Sequence, residues 1–442
     1  MDSRSPERHP IVVACTVILA FCATGVLWSG TKGAGLKELP EPTVAPVDPN
    51  AEDPTRARGR FRPSMEGLSE EDQIAALESI GYLSGTREAG EQSSVTVHDT
   101  DRAWQGLNLY TSGHAPEAVL MDMEGEVLHV WNASFKDAFP EFTRRENQNM
   151  LFWRRVHLLP DGELLAIFEG EAIVKLDRDS NVLWANANKA HHDLEIAENG
   201  DIWVLTRKGM AIAQLNNDVP TLNDMVTVLG PDGEEKHKIS LLKAYRDSEF
   251  KDHWAKRSRR GGDVFHTNSL AILDGSQVHM DPAFKAGNVL VSMRHLNTLA
   301  ILDPDAEKIV WSKKGEWVLQ HDPSLLDNGH VLLFDNNRKS SQILELEPRS
   351  DKVVWRYVES PDKPFFSGTC GTAQRLDNGN TLVTESDNGR AFEITTDGEI
   401  VWEFHNPNRP EDRPNLVATL FENLRLAPDF PVGWAQAPEA TE

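Results

Sequence analysis

Cysteine is scarce in this chain of 442 residues, which contains three. Cys15 and Cys22 lie in a single apolar run, so Cys370 is the one thiol in the rest of the sequence. A disulfide within that remainder is therefore excluded. Stability must come from a hydrophobic core, which a chain of this length can build.

Positive charge is also in short supply. Lys and Arg total 45 against 69 Asp and Glu, which gives a formal net charge of -24. Nucleic-acid binding needs clustered cations that neutralise phosphates, so we expect no nucleic-acid partner. The short basic run at 256–260 is interpreted as a solvated loop. A Ser-centred triad, a P-loop and a dinucleotide-binding motif are all missing from the sequence, and we expect no cofactor.

One long uncharged segment stands near the start of the sequence. It reads IVVACTVILAFCATGVLW and is long enough to cross most of a bilayer. Arg4 and Arg8 precede it, and cationic residues favour the cytoplasmic side. We therefore predict a cytoplasmic N-terminus at 1–10 and a single-pass anchor in the inner (cytoplasmic) membrane at 11–29, with the rest on the periplasmic or extracellular side. A cleaved signal peptide is the alternative, although no clear cleavage site is present.

Two further segments precede the main domain. Residues 30–66 are rich in Pro, Gly and charge, which predicts a flexible linker. Residues 67–86 carry apolar side chains at roughly helical spacing, with Ser69 as a suitable N-cap, and predict a short amphipathic helix. The surface on which this helix docks is not evident from the sequence.

From about residue 104 the sequence repeats with a period in the forties. Each unit holds short apolar strands, an Asp/Asn-Gly turn, and a Val/Leu-x-Trp near its end. The turns lie at 161–162, 199–200, 328–329 and 378–379, and the tryptophans are Trp131, Trp184, Trp311, Trp355 and Trp402. Four short strands per unit predict an all-β fold, a six-bladed β-propeller spanning 97–430. The unit at roughly 192–240 diverges, and residues 415–426 are expected to form a closing strand.

Histidines stand in front of three of these turns. His192 and His321 each lie seven residues before an Asn-Gly, and His266 lies eight before Asp274. We expect the three to share one repeat position, at the start of the strand nearest the central channel. The corresponding positions elsewhere are Arg154 and Gly371, so the repeat itself does not demand histidine. Copying of a template by duplication remains the structural alternative.

The second strand of each blade returns to the same face. Its end falls on Arg207, Arg294 and Asn336 in the three blades that carry histidine. Neutral imidazole is a good nucleophile, and arginine offers a planar fork of donors to an oxyanion. A tri-histidine metal site is the rival hypothesis. The arginines disfavour it because they would repel a cation, so we predict no metal.

The pieces GLNLYTSGHAPEAVLMDMEGEVLHVW, HHDLEIAENG, FHTNS, VSMR, QHDPSLLDNG and VLLFDN together resemble the bacterial arylsulfotransferases. That resemblance implies a six-bladed propeller that moves a sulfuryl group between phenols without a nucleotide donor. It implies that His321 is the nucleophile that becomes sulfated, and that His192, His266 and Arg294 bind and polarise the sulfate. His191, Arg207, Asn268 and Asn336 are the predicted substrate-binding residues.

Phenols and aryl sulfates are the partners that the resemblance implies. Some family members carry an N-terminal β-domain that helps them dimerise, and residues 30–100 are too short and Pro-rich for it. The oligomeric state therefore stays open, and a monomer is compatible with the sequence. The alternative function is that of a non-catalytic membrane-tethered propeller that binds a ligand or partner at the channel mouth.

Overall fold

Strands dominate the computed structural model of this chain. It describes residues 84–435, without 213–215, 254–261, 338, 351 and 361–364, together with residues 69, 73 and 74. Its helices are short, namely α1 (Phe135–Ala138) and α2 (Leu241–Arg246), and 3-10 turns occur at Gln148–Met150, Pro282–Phe284, Arg294–Leu296 and Ser386–Asn388. None of the helices in these described stretches has the length and hydrophobicity that a membrane span requires.

The predicted anchor, the linker and most of the amphipathic helix lie outside the described residues. Within that helix, the Gln73 N–H donates to the Ser69 carbonyl at 2.9 Å. The predicted helix end at residue 86 is wrong, because residues 84–86 are not helical. Ser84 instead accepts a hydrogen bond from Thr419 N at 2.8 Å. A Cβ on Gly85 would approach a backbone carbonyl to 2.5 Å, so the chain docks here as closely packed backbone.

Six antiparallel sheets form the six predicted blades. Blade 1 consists of β3 (Leu107–Ser112), β4 (Glu117–Met121), β5 (Val127–Asn132) and β28 (Leu420–Leu426). Blade 2 consists of β6 (Arg155–Leu158), β7 (Leu164–Phe168), β8 (Ala172–Leu176) and β9 (Val182–Asn186). Blade 3 consists of β10 (Ala190–Ile196), β11 (Ile202–Ile212), β12 (Asn216–Leu229) and β13 (Glu235–Ser240), with β14 (Gly262–Asp263) added to β12.

The remaining blades repeat the pattern. Blade 4 consists of β15 (Thr267–Ile272), β16 (Val289–Met293), β17 (Thr298–Asp303) and β18 (Lys308–Lys314). Blade 5 consists of β19 (His321–Leu325), β20 (Val331–Asp335), β21 (Gln342–Glu347) and β22 (Lys352–Tyr357). Blade 6 consists of β23 (Thr372–Arg375), β24 (Thr381–Glu385), β25 (Arg390–Ile394) and β26 (Ile400–His405), with β2 (Ser94–His98) on its outer edge. A separate pair joins β1 (Arg87–Glu88) to β27 (Leu416–Val417).

Both ends of the propeller sequence close the ring. The C-terminal strand β28 pairs with β3 and becomes the innermost strand of blade 1, which confirms the predicted closing strand. The early strand β2 pairs with β26 and forms the outer edge of blade 6. Blades 1 and 6 are therefore each completed by a strand distant in sequence, which ties the ring shut.

The repeated tryptophans join neighbouring blades. Trp131 on the outer strand of blade 1 donates its indole N–H to Gly162 O in blade 2, at 3.0 Å. Trp402 in blade 6 donates to Met123 O in blade 1, at 2.8 Å. Trp184 and Trp355 make the same contact one blade further on. A buried indole needs such an acceptor, so the repeat of Trp reflects the repeat of blade-to-blade contacts.

The Asn-Gly turns connect the first and second strands of a blade. Gly329 N donates to Leu326 O at 2.7 Å, and Gly329 has φ of 78°. Glycine adopts this left-handed conformation without steric cost, which explains its place in the repeat.

Blade 3 diverges because its hairpin is longer. Strands β11 and β12 stay paired as far as Ile212 and Asn216, beyond the ends of the second strands of other blades. The short strand β14 lies parallel to this extension, with Leu222 opposite Asp263. The segment just before the inner strand of blade 4 is thereby held against blade 3.

Candidate functional site

The predicted residues lie on or beside the first and second strands of blades 3, 4 and 5. All of them are buried, with exposed fractions of 7% or less: His191, His192, Arg207, His266, Asn268, Arg294, His321 and Asn336. His321 is 2% exposed, so its replacement also removes buried contacts.

The expectation that the three histidines share one repeat position is also wrong. Arg294 N donates to His266 O at 3.2 Å, and Arg207 N donates to Lys189 O at 3.3 Å. Lys189 and His266 both have positive φ, of 63° and 50°. His266 is therefore the counterpart of Lys189, three residues before His192.

Bulges in the inner strands cause this mismatch. The ladder shifts register between Ala190 and Leu194 in β10, and between Thr267 and Ser269 in β15. The two bulges hold different numbers of extra residues, so counting back from the turn does not give the spatial counterpart. The side chains nevertheless converge, because the rings of His192 and His266 lie 4.8 Å apart in an edge-on arrangement.

Glu169 anchors the first pair of histidines. Its carboxylate accepts from His192 N at 2.9 Å, and its Oε1 lies 3.3 Å from His192 Nδ1. His191 Nδ1 lies 2.8 Å from His192 Nδ1. Arg207 completes the group, with Nη1 3.7 Å from Glu169 Oε1.

These two histidines are neutral at ordinary pH. Burial, and next the Arg207 charge, lower the pKa of His191 to about 3. Burial and the neighbouring His266, His191 and arginine charges hold the pKa of His192 well below its usual range. A second proton is disfavoured on either ring because a desolvated site disfavours charge.

Asp263 on β14 holds the third histidine. His266 Nδ1 lies 2.6 Å from Asp263 Oδ2. The His295 ring stacks on His266 at 4.7 Å, and His295 Nδ1 donates to the Asp263 backbone carbonyl at 2.8 Å. The result is a carboxylate–imidazole pair backed by a second ring.

His321 is held differently, by an amide. Asn336 Nδ2 donates to Ser367 O at 2.8 Å and to Cys370 O at 2.7 Å, which fixes the amide orientation. Asn336 Oδ1 then faces His321 Nδ1 at 2.6 Å. An amide oxygen only accepts, so Nδ1 carries the proton and the lone pair of the neutral ring lies on Nε2.

Two contacts join the blades that carry these groups. Asn268 Nδ2 donates to the carbonyl of Gln320, next to His321, at 2.8 Å. Arg294 Nη2 donates to Gly368 O at 3.3 Å, on the same loop that receives the Asn336 amide. Blades 4 and 5 and the loop before blade 6 thus form one side of the site.

A buried ion cluster joins the inner strands. Arg155 on β6 pairs with Asp193 at 2.7 Å, with Asp322 at 3.1 Å, and with Glu422 on β28. Asp193 also accepts from Leu270 N at 2.9 Å. The cluster was not predicted, although Asp follows His in both His-Asp segments of the sequence.

Other residues of the site were also missed. Glu169 lies at the end of the second strand of blade 2, the same place as Arg207, Arg294 and Asn336, so extending that rule to blade 2 would have found it. Asp263 could not be found that way, since the parallel pairing of β14 with the long hairpin brings it into place.

Two groups of side chains have spacings compatible with a metal ion. They are Glu169 with His191 and His192, and Asp263 with His266 and His295, each with ligand atoms within 4.8 Å of one another. In the described part of the chain neither group includes His321. Among the described residues, no group with ligand atoms this close joins His192, His266 and His321 into the tri-histidine metal site of the rival hypothesis. Bonds to His191, Asp263 and the Asp263 carbonyl already occupy Nδ1 of His192, His266 and His295.

A cavity of about 920 Å³ lies elsewhere, beside the outer strands of blade 6, and none of the predicted residues lines it. Arg390 on its wall pairs with Glu359 at 3.0 Å and Glu403 at 2.7 Å. These charged groups are already held in ion pairs with one another, so we place the candidate site at the buried histidines.

Comparison with known proteins points to one family. The family model described as Arylsulfotransferase (ASST) matches residues 155–407, more than half of the chain and all eight predicted residues. A search of the curated proteins finds no match.

Several solved structures share distant similarity with this chain. A protein of unknown function from Bacteroides caccae is 13% identical, covers 68% of this chain and 94% of its own, and has a TM-score of 0.46. A streptogramin B lyase is 12% identical, with coverage of 76% and 94% and a TM-score of 0.42. Virginiamycin B lyase from Staphylococcus aureus is 15% identical, with coverage of 58% and 71% and a TM-score of 0.34. These TM-scores are too low to carry an argument.

Proposed function

This chain belongs to the arylsulfotransferase (ASST) family, and on that premise we propose that it moves a sulfuryl group from an aryl sulfate to a phenol by a ping-pong mechanism. His321 is the nucleophile and a sulfohistidine is the intermediate. Covalent catalysis of this kind divides one difficult transfer into two easier steps.

The observation that carries the proposal is the bond between His321 and Asn336. The 2.6 Å contact favours a proton on Nδ1, which leaves the lone pair of the neutral ring at Nε2 and so supports His321 as the nucleophile. The amide is uncharged, so it orients the ring without stabilising its protonated form. A neutral, oriented imidazole is the form that attacks sulfur.

Buried cations supply charge complementarity. Arg154, Arg207 and Arg294 are each 7% exposed or less. Of the nearby carboxylates, Glu169 faces Arg207 and Asp263 contacts His266. A transferring sulfuryl group spreads negative charge over its oxygens, as a phosphoryl group does. Guanidinium groups in a desolvated site stabilise such charge strongly.

The first half-reaction forms the bond between His321 Nε2 and sulfur. The bond between sulfur and the donor oxygen breaks, and its electron pair leaves with the phenolate. In the second half-reaction the acceptor oxygen attacks sulfur, and the pair of the nitrogen–sulfur bond returns to Nε2. His192, His266 and Arg294 bind the sulfate, while His191, Arg207 and Asn268 line the substrate site.

The cellular setting is part of the proposal. The apolar segment at 11–29 anchors the protein in the inner membrane, and the propeller lies outside the cytoplasm. Phenols and aryl sulfates are the small-molecule partners. Neither cofactor nor metal takes part in the proposed steps.

Trapping the intermediate tests this function. The protein is incubated with 4-nitrophenyl sulfate alone, digested at mildly alkaline pH, and analysed by mass spectrometry. We expect one added sulfuryl group on the peptide that contains His321. His321→Ala should abolish the adduct and the transfer. His330→Ala, a change in the turn of the same blade, should retain both, and circular dichroism checks the fold of each variant.

Other outcomes would contradict parts of the proposal. An adduct on the peptide of His192 or His266 would move the nucleophile to another blade. Transfer without any adduct would favour a single direct displacement. A folded protein that binds phenols but turns over no aryl sulfate would support the non-catalytic binding function instead.

A further inference from the structure

Three imidazoles of the site have a side-chain oxygen near Nδ1, and in two of them, His266 and His321, that oxygen is the hydrogen-bond partner. His266 contacts the Asp263 carboxylate at 2.6 Å, and His192 lies 3.3 Å from the Glu169 carboxylate. His321 contacts the Asn336 amide instead. A carboxylate stabilises the positively charged form of an imidazole, whereas an amide does not.

The pairing of its backbone with a neighbouring strand fixes the position of Asp263. Strand β14 pairs with the extended hairpin of blade 3, with Asp263 opposite Leu222. His295 Nδ1 donates to the Asp263 carbonyl at 2.8 Å, and its ring stacks on His266. Backbone pairing on one side and a ring on the other therefore hold the carboxylate against His266.

We propose that Asp263 is a positioning residue that makes His266 the proton carrier of sulfuryl transfer, an inference that rests on the proposed function. Asp263 accepts from Nδ1–H of His266 and sets its tautomer. Protons then enter and leave the ring at Nε2.

His266 carries one proton through the two half-reactions. As the bond between sulfur and the donor oxygen breaks, protonated His266 gives its Nε2 proton to the departing phenolate, which leaves as a phenol. Neutral His266 then takes the proton of the acceptor phenol while that oxygen attacks sulfur on His321. The enzyme returns to its starting state without exchange of protons with solvent.

His266 is better suited to this task than its neighbour. His192 is kept neutral because burial, His266 and His191 hold its pKa well below the usual range. The other charged and titratable groups around His192 and the Asp263–His266 pair are Glu169, His295, Arg154, Arg207 and Asp224. Burial and next the Asp263 charge raise the pKa of Asp224 to about 7.

The way in which kcat/KM of an Asp263 variant depends on the leaving group tests the role of Asp263. An electron-poor nitrophenolate leaves without protonation, whereas an unsubstituted phenolate, with a conjugate acid near pKa ~10 as in tyrosine, needs a proton. Asp263→Asn should lower kcat/KM for phenyl sulfate by about 10²–10⁴-fold, the usual contribution of general acid catalysis. For 4-nitrophenyl sulfate we expect the loss to be less than about tenfold.

Asp224→Asn is the matched control. Asp224 is a buried carboxyl that accepts from Thr267 N at 2.8 Å, and an amide oxygen can replace it there. This variant should affect both donors equally. Asp263→Glu, which retains the carboxylate, should recover part of the activity with phenyl sulfate.

The outcomes separate this inference from the proposed function. Retained formation of the His321 adduct from 4-nitrophenyl sulfate shows that the Asp263→Asn site is folded and supports the inference when phenyl sulfate fails. Equal losses with both donors would overturn the role of Asp263 and leave the nucleophile intact. If the wild-type protein turns over neither donor, the proposed function itself fails.

Discussion

Asp193 and Asp322 accept hydrogen bonds from the same guanidinium, that of Arg155, although they lie on blades 3 and 5. Each aspartate directly follows a histidine of the site, His192 or His321. A third carboxylate, Glu422 on blade 1, contacts the same arginine. The cluster therefore joins the two inner strands that carry His192 and His321.

Arg155→Met should destabilise the propeller by about 3–5 kcal/mol, because it leaves buried carboxylates without their cation. The free energy of unfolding by urea measures this. Arg102→Met is the matched control, since Arg102 is half exposed and pairs with Asp99 at the surface. Exposed pairs of that kind contribute at most about 1 kcal/mol. Equal losses in the two variants would show that the buried cluster has no special role.

The contribution of Glu422 to the free energy of unfolding should fall as pH rises from about 4.5 to about 7, opposite in sign to that of His191, whose pKa burial lowers to about 3. Burial raises the pKa of Glu422 to about 7 against an ordinary value of 4.5, since three carboxyls share one guanidinium. The folded state then keeps a proton that the unfolded chain releases. The associated stability is fully present below pH 4.5 and is lost as pH passes the folded pKa, at about 1.4 kcal/mol per pKa unit.

Glu422→Gln should reduce this slope, as measured by thermal unfolding across the range. Some slope should remain, because burial also raises the pKa of Glu195 and of Asp224 to about 7. Glu399→Gln, a change at an exposed carboxyl, should leave the slope as in the wild type. An unchanged slope in Glu422→Gln would mean that this carboxyl is ionised in the folded protein.

Arg294→Lys should reduce turnover of aryl sulfates by a factor of ten or more, on the order of one lost charge-assisted hydrogen bond. Lysine keeps the charge and loses the planar fork that contacts Gly368 and faces the site. Steady-state kinetics with donor and acceptor measure the effect. Arg375→Lys, at a pair with Glu345 in the sheet, is the control with expected wild-type rates. Full activity in Arg294→Lys would remove that residue from the mechanism.

The proposed topology predicts that a protease added to spheroplasts degrades the propeller. This topology rests on the uncharged run and on the preceding Arg4 and Arg8, since cationic residues favour the cytoplasmic side. Immunoblotting against the C-terminal part follows the digestion, with a cytoplasmic protein as the protection control. Complete protection of the propeller in intact spheroplasts would exclude this orientation.

Much of the fold could be predicted because its signals are local and repeated. The turn glycines, the tryptophans and the apolar strands recur with the period of the blade, and each copy reports the same short-range geometry. The closing strand was also predictable, since one apolar segment was left over after six units. The long hairpin of blade 3 was not, because its extension follows no repeat.

The sequence could predict side chains for the candidate site, which stay predictions, but it could not predict their arrangement. His192, His266, Arg294 and His321 were found from their places near strand ends and from the family motifs. The assumption of one shared register failed at His266, because bulges change the count along each inner strand.

The sequence by itself determined the number of blades, the order of strands and the residue types at the channel. These follow from periodicity and turn chemistry, which act over a few residues. Tertiary structure alone decided which group bonds Nδ1 of each imidazole: the Asn336 amide for His321, the Asp263 carboxylate for His266 and the His191 ring for His192. The physical reason is that a hydrogen bond depends on separations of tenths of an ångström between side chains from different strands. Bulges, ring closure and the parallel pairing of β14 set those separations, and no single segment of the sequence records them.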